Sequence, residues 1–280
     1  MPSRPPQRRP PAVLPALAAP LLLLAGLLLP VLLGSPASAA ESDEVWVTFD
    51  ETAADARVTA VTNRGTAATS QSILTAGTGR LVARTATRTG GRGVDFPAYD
   101  GLAGGARAVI AVSNPGSTDL LAPGAAPFRF GADVRMNPTS EGSAYDNGNN
   151  VVQRGLFSSS AQFKLQVDGG RPMCRIKGSL GTVALTSPVV LRPGSPYRLM
   201  CRRVVDAAGE YAYLNVRTLG EGGALGPITQ VASRRTAIGS LDFATDEPLS
   251  IGGKLDRALV LQNASDQLNG RLDNVYLHLG

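Results

Sequence analysis

One histidine and two cysteines are all that 280 residues offer to the chemistries that depend on those side chains. A zinc centre assembled from several His and Cys lacks its donors. A Ser-His-Asp or Cys-His nucleophilic machine would have to use His278, two residues from the end. Glutamate is also scarce, with Glu41, Glu44, Glu51, Glu141, Glu210, Glu221 and Glu247 making up the full set. A retaining glycosidase needs two carboxyls about 5–5.5 Å apart. On a strand that means acids spaced to share a face, and no Glu-x-Asp-x-x-Glu arrangement occurs. His278 alternates with Tyr276 and Asn274 on a strand, away from Val275 and Leu277, and reads as a satisfied or exposed strand histidine. No residue is therefore assigned a catalytic role.

Charged residues make up 18% of the chain and hydrophobic ones 43%, a globular rather than a disordered balance. Punctuation is abundant instead. The 32 glycines and 20 prolines are about 19% of the chain, which suits short strands joined by turns better than a helical bundle. The formal net charge of +5 needs a correction. Residues 1–39 hold Arg4, Arg8 and Arg9 and no acid, so the remainder carries 24 basic against 22 acidic residues. A near-neutral chain gives no charge argument for nucleic acid.

The opening MPSRPPQRRP is basic, an apolar run densest from Leu21 to Leu33 follows, and Ala37-Ser38-Ala39-Ala40 precedes an acidic start at Glu41. This order predicts a secretory signal peptide over 1–39, cleaved after Ala39 with Ala40 as the neighbouring choice. Pro20 and Pro30 interrupt the run and argue against an uncleaved anchor. Arg8-Arg9 is a weak twin-arginine hint, and no cysteine stands at the cleavage site for lipid attachment. The expected product is a secreted, extracellular domain over 40–280 with no membrane insertion after cleavage. In an oxidising compartment the one cysteine pair, Cys174 and Cys201, is expected to form a disulfide.

From Val109 onward the pattern has period two. Phe128 to Met136 alternates and stops at Asn137-Pro138. Asn150 to Phe157 reads as a second strand. Gln162-Phe163-Lys164-Leu165-Gln166-Val167 ends at Asp168-Gly169-Gly170, a hairpin signal. Met173 to Gly178, Gly181 to Leu185, Tyr197 to Val205, Tyr211 to Thr218, Leu249 to Lys254 and Gly270 to Leu279 continue the series. Residues 51–105 are fainter, with Arg57–Val61, Arg80–Ala83 and Gly93–Phe96 as candidates. No window of a dozen residues after the leader holds a helical stripe. The expectation is all-β, two antiparallel sheets packed as a jelly-roll sandwich.

Parity sharpens this. If Phe163, Leu165 and Val167 face the core, Cys174 and Ile176 do too, and Tyr197, Leu199 and Cys201 share one parity. The disulfide then lies on the core side and links two strands. Gln162, Lys164, Gln166, Arg175 and Lys177 stand on the other face. That face is either a solvated exterior or a ligand-binding surface. Arg202-Arg203 and Arg234-Arg235 are basic pairs, solvated by default, with anionic polymer contact as the alternative. Asp146-Asn147-Gly148-Asn149-Asn150 reads as a polar turn that could also offer oxygens to a sugar or ion. Asn263-Ala264-Ser265 fits the N-glycosylation pattern.

Several strings in this order resemble a known family. They are Phe130-Gly131-Ala132-Asp133-Val134-Arg135, Asn150 to Gly155, Gln162 to Val167, Cys174 to Gly178, Tyr197 to Arg203, Pro248 to Lys254 and Leu268 to Val275. Together they resemble laminin-G-like domains of the concanavalin A-like lectin/glucanase superfamily, in secreted actinobacterial form. The resemblance covers Phe128 to Gly280 and extends more weakly back to Trp46. It implies a jelly roll that mostly binds, whether glycans or proteins. It also implies, in some members, a structural calcium ion where the first and last strands meet. The family ending G-x-I-D-x-V corresponds to Gly270-Arg271-Leu272-Asp273-Asn274-Val275 and its N-terminal element to Val47-Thr48-Phe49-Asp50-Glu51, which together put Asp50, Asp273 and Asn274 forward as calcium donors.

The reading that follows is a secreted, non-catalytic binding domain whose partner is a glycan or another cell-envelope component. The preferred ligand is carbohydrate. The alternative is a protein-interaction or structural module of the cell envelope, and a polysaccharide-active enzyme ranks behind both.

Overall fold

A computed structural model of the chain describes residues 42–86, 90–98, 102, 104–138, 148–232, 237–262 and 264–280. They belong to the compact unit Glu41–Gly280. Among them strands dominate, and the one helical element is a 3-10 turn at Glu221–Gly223. In chain order the strands are β1 (Val45–Val47), β2 (Arg57–Val58), β3 (Ser70–Ala76), β4 (Leu81–Thr85), β5 (Arg92–Asp95), β6 (Arg107–Ser113), β7 (Phe128–Met136) and β8 (Asn149–Arg154). They continue as β9 (Gln162–Asp168), β10 (Arg171–Gly178), β11 (Gly181–Thr186), β12 (Pro196–Asp206), β13 (Gly209–Leu219), β14 (Leu225–Ala232), β15 (Leu249–Ile251) and β16 (Gly270–Leu279).

Two antiparallel sheets result. One is ordered β14-β13-β12-β7-β16-β5-β4-β2, with β1 also on β16. The other is ordered β11-β10-β9-β8-β15-β6-β3. The architecture is the expected jelly-roll sandwich. Turn chemistry sets the register locally. Gly169 and Gly170 both have positive φ, 53° and 73°, and join β9 to β10 as a two-residue hairpin with Asp168 opposite Arg171. At the β12–β13 hairpin the Asp206 carboxylate accepts from the backbone N–H of Ala208 (2.7 Å) and Gly209 (3.1 Å).

The inward parity is as the alternation predicted. Phe163, Leu165 and Val167 of β9, Cys174 and Ile176 of β10, and Tyr197, Leu199 and Cys201 of β12 are all buried. Phe128, Phe130, Phe163 and Phe243 stack and tilt at centroid separations of 4.8 to 5.8 Å and fill one end of the core. The disulfide Cys174–Cys201 is present, with 5.7 Å between Cα atoms. It ties β10 of one sheet to β12 of the other, through the core.

Three strand expectations changed. β8 ends at Arg154, not at Phe157, because Gly155 takes φ 76° and turns the chain out of the sheet. β3 and β14 were not expected. β3 is polar apart from Ile73, Leu74 and Ala76, and β14 is interrupted by Gly226 and Pro227, so neither carries an alternating apolar signal.

β6 is buried on both faces over six of its seven residues. Val109 and Ala111 point away from the main core, and Leu255, Leu259 and Leu261 pack on them together with Leu74. Leu255, Leu259 and Leu261 belong to the segment 252–269, whose described residues form no strand and fold back across the outer face of the seven-stranded sheet. Gln267 pins it there. Its side-chain oxygen accepts from Ala108 N (2.9 Å), and its amide donates to Gly252 O (2.9 Å) and Leu268 O (3.1 Å). The segment covers the β6 side and leaves the β9–β11 side open.

The cross-link closes a chain separation of 27 residues. Replacing both cysteines by alanine should lower the unfolding free energy by about 3–4 kcal/mol on the chain-entropy account. The check is a urea midpoint for the double variant beside the parent, and an unchanged midpoint would show that the bond adds nothing.

Candidate functional site

The outward parity of the seven-stranded sheet builds a continuous rung. Ala184, Arg175, Lys164, Gln153, Ser250 and Ala111 are successive neighbours across β11, β10, β9, β8, β15 and β6. The segment 252–269 lies over the Ala111 end. The uncovered end forms a groove of about 460 Å³. Its floor is Gln153, Gln162, Lys164, Gln166, Met173 and Arg175, and its walls are Leu156, Phe157 and Ser158 on one side and Lys254 and Asp266 on the other.

Four of the five face residues expected from sequence thus converge: Gln162, Lys164, Gln166 and Arg175. Lys177 lies outside the groove and holds its wall. Its ammonium donates to Ser159 O (2.5 Å) and Phe157 O (3.4 Å). Phe157 is 74% exposed, and the Arg175 guanidinium stands over its ring at 4.5 Å. A large apolar side chain is thereby held out in water by a cation–π stack and an anchored loop.

The polar floor is partly satisfied. Gln153 accepts from the Asn150 amide (2.8 Å) and donates to Gly155 O (2.8 Å). The Gln162 amide donates to the same carbonyl (3.1 Å), while its buried Oε1 has no hydrogen-bond partner. The buried Nε of Arg175 has none either. The Asp266 Oδ2 is shared by Lys254 (3.1 Å) and Lys164 (3.7 Å). Burial pushes the Lys164 ammonium below its ordinary pKa and Asp266 pulls the other way. Burial also lowers the pKa of Arg175.

The remaining sequence candidates fall elsewhere. Asp50 accepts from Arg92 N (2.7 Å) beside β5. Asp273 is buried and accepts from Asn274 N (2.7 Å), and the Asn274 amide donates to Asp133 (2.9 Å). Asp133 itself receives a two-pronged Arg198 guanidinium at 2.7 Å on each oxygen. Among the described residues no three His, Cys, Asp or Glu side chains gather as a metal-holding cluster. Calcium takes 6–8 oxygens, and these three residues each have a hydrogen bond of their own to keep.

His278 is buried with Nδ1 near Ser42 O (3.2 Å) and the Asp43 carboxylate (3.5 Å). Arg202 stacks on Tyr213 at 4.6 Å, and Arg203 is buried against Glu210 (2.9 Å). Asn149 and Asn150 are buried in β8, with Asn149 accepting from Asn269 N (2.7 Å), so they serve the fold. Glu41, Glu141, Asp146, Asn147, Arg234, Arg235, Asn263 and the expected leader lie outside the described residues. A second, shallower cavity of about 360 Å³ lies on the outer face of the nine-stranded sheet, between Trp46, Arg129, Arg198, Tyr276, Asn274 and Asp43.

With this geometry fixed, comparison with known proteins bears on the fold. No protein-family model matches the chain, and no curated protein matches it. Solved structures do. The binding domain of Paraclostridial Mosquitocidal Protein 1 superposes on 85% of this chain, at 10% identity and a TM-score of 0.51. The LG1-3 region of the laminin alpha2 chain aligns with 54% of it, at 12% identity and a TM-score of 0.41. The endo-1,3-beta-glucanase from Streptomyces sioyaensis aligns over 87% of this chain and 98% of its own, at 12% identity and a TM-score of 0.45. The chain spans about half (48%) of the mosquitocidal binding domain and about a quarter (26%) of the laminin fragment. At such identities the likeness concerns architecture and assigns no ligand to the groove.

Sequence reasoning missed Phe157, Gln153, Lys254 and Asp266 as groove residues. Phe157 carried a usable signal, an aromatic set between Gly155 and the serine run 158–160, where a strand cannot continue. Lys254 and Asp266 carried none, since a long-range fold-back brings them in.

The Lys177 anchor is testable. Lys177→Ala should remove about 1 kcal/mol of local order and speed amide exchange across 155–160. Unchanged protection there would show that the loop holds itself.

Proposed function

We propose that this chain is an exported, laminin-G-like, non-catalytic module that binds carbohydrate in the groove on the open half of the seven-stranded sheet. The observation that carries the reading is the exposed Phe157 ring standing beside a floor of amides and cations. Sugars present apolar ring faces and a rim of hydroxyls, and such a groove offers a stacking surface together with donors and acceptors. The Gln162 Oε1 and Arg175 Nε, buried without a hydrogen-bond partner, favour a polar occupant over an apolar one.

The same groove argues against hydrolysis. Among the described residues its one carboxylate, Asp266, is engaged by two lysines, and a glycosidase needs a pair. The expected extracellular location suits a module of this kind, and the leader over 1–39 is part of the proposal. Calcium at Asp50, Asp273 and Asn274 is a separate proposal, resting on the family resemblance.

Two measurements follow. In a panel of soluble and insoluble glycans, binding should be saturable, and Phe157→Ala should weaken it about tenfold, the equivalent of 1.4 kcal/mol. Because Phe157 is exposed, its melting temperature should stay put. No binding to any glycan would turn the reading to a protein partner in the cell envelope. For calcium, melting is compared in millimolar calcium and in chelator. An ion that binds only the folded chain raises the temperature, and coincident curves remove it.

A further inference from the structure

We infer that the groove selects acidic polysaccharides, with Lys164, Lys254 and Arg175 as the charge-reading residues and Asp266 as a built-in competitor for them. This rests on the carbohydrate reading and narrows its ligand class. Among the described residues three cations line the groove against one carboxylate. That carboxylate is divided between two ammonium groups, at 3.1 Å and 3.7 Å. Lys164, the farther of the two, has a side chain only 17% exposed. A cation so far removed from water is costly unless paired, and the shared Asp266 oxygen serves it at the longer distance. A second anion entering the groove meets a charge already desolvated, so most of the usual dehydration cost has been met in folding.

Arg175 adds the second contact. Its ring partner Phe157 fixes the guanidinium plane, and its Nε has no acceptor. A carboxylate or sulfate ester supplies paired oxygens for such a planar donor set, whereas hydroxyls supply single ones. Gln153, Gln162 and Gln166 line the same floor and suit the uncharged hydroxyls that such a polymer also carries. The other arginine-rich face, around Arg198 and Arg202, is differently arranged. Arg198 is engaged on both oxygens of Asp133, whereas Arg202, stacked on Tyr213 with an unpartnered Nε, repeats the arrangement of Arg175 without the two lysines beside it and so serves as the control position.

The experiment measures affinity of the purified protein for polygalacturonate and alginate, dextran sulfate, and the uncharged polymers dextran and a β-1,3-glucan, at low and high salt. Uronate or sulfated polymers should bind at least about tenfold tighter than uncharged ones, more weakly as salt rises. The two anionic arms tell which acid group is preferred. Lys254→Gln, at the groove rim, should cost roughly tenfold on the acidic polymer and leave uncharged ones unmoved. Asp266→Asn should strengthen acidic-polymer binding, a gain that damage to the fold would not produce. Uncharged glucan binding as tightly, with no response to either variant, overturns the charge selection and leaves the carbohydrate reading standing. Polyanion binding that Arg202→Gln weakens and the groove variants do not would also overturn it. No polysaccharide binding at all sinks both.

Discussion

Every strand in a two-sheet sandwich has two faces, and the shared core can take only one of them. The fate of the second face decides what the molecule can do. Here the outer face of the seven-stranded sheet is divided. Over β6 it carries Val109 and Ala111, which are apolar and need a cover, and the leucines of 252–269 provide it. Over β9 and β10 it carries Gln162, Lys164, Gln166 and Arg175, which need water or a ligand. The border between the two halves runs near Gln153 and Ser250, and the groove begins there.

This division also explains how a nearly neutral chain comes to have a charged site. The sequence is balanced in net charge once its first 39 residues are set aside, yet alternation sorts side chains by face and not by sign. Lys164 and Arg175 are opposite one another in the β9–β10 register. Two like charges side by side on a sheet are unfavourable. The structure answers with two devices, the Asp266 carboxylate next to Lys164 and the Phe157 ring under Arg175. Both arrive from loops, so the strands supply the floor and the loops tune it.

Much of the fold was legible because its information is local. Period-two alternation placed Phe163, Leu165, Val167, Cys174, Ile176 and Cys201 on the core side, and the Asp168-Gly169-Gly170 signal located a hairpin. The same parity picked out four of the groove residues. What failed was non-local. β3 borrows its apolar contacts from β6, and β14 pairs along β13 without a pattern of its own. Leu255 and Leu259 read as stray leucines in a loop until the sheet face beneath them is known. Lys254 and Asp266 could not be placed beside Lys164 from sequence, since nothing near them in the chain states where the segment lands. Phe157 was misread as a strand residue because the apolar Leu156 and Phe157 follow directly on the turn that Gly155 makes.

The covalent link between the sheets has a mechanical side. Arg175, on the groove floor, directly follows Cys174, and Cys174 is bonded through the core to Cys201 on β12. Under the proposed function, a polymer held in the groove and dragged by flow would pull on β10. In a sandwich without the bond, that load would pass between the sheets only through side-chain packing, which slides. Here it reaches β12 along a chain of covalent bonds, and from β12 it spreads into the backbone hydrogen bonds to β7 and β13. The sheet that grips and the sheet behind it would have to yield together.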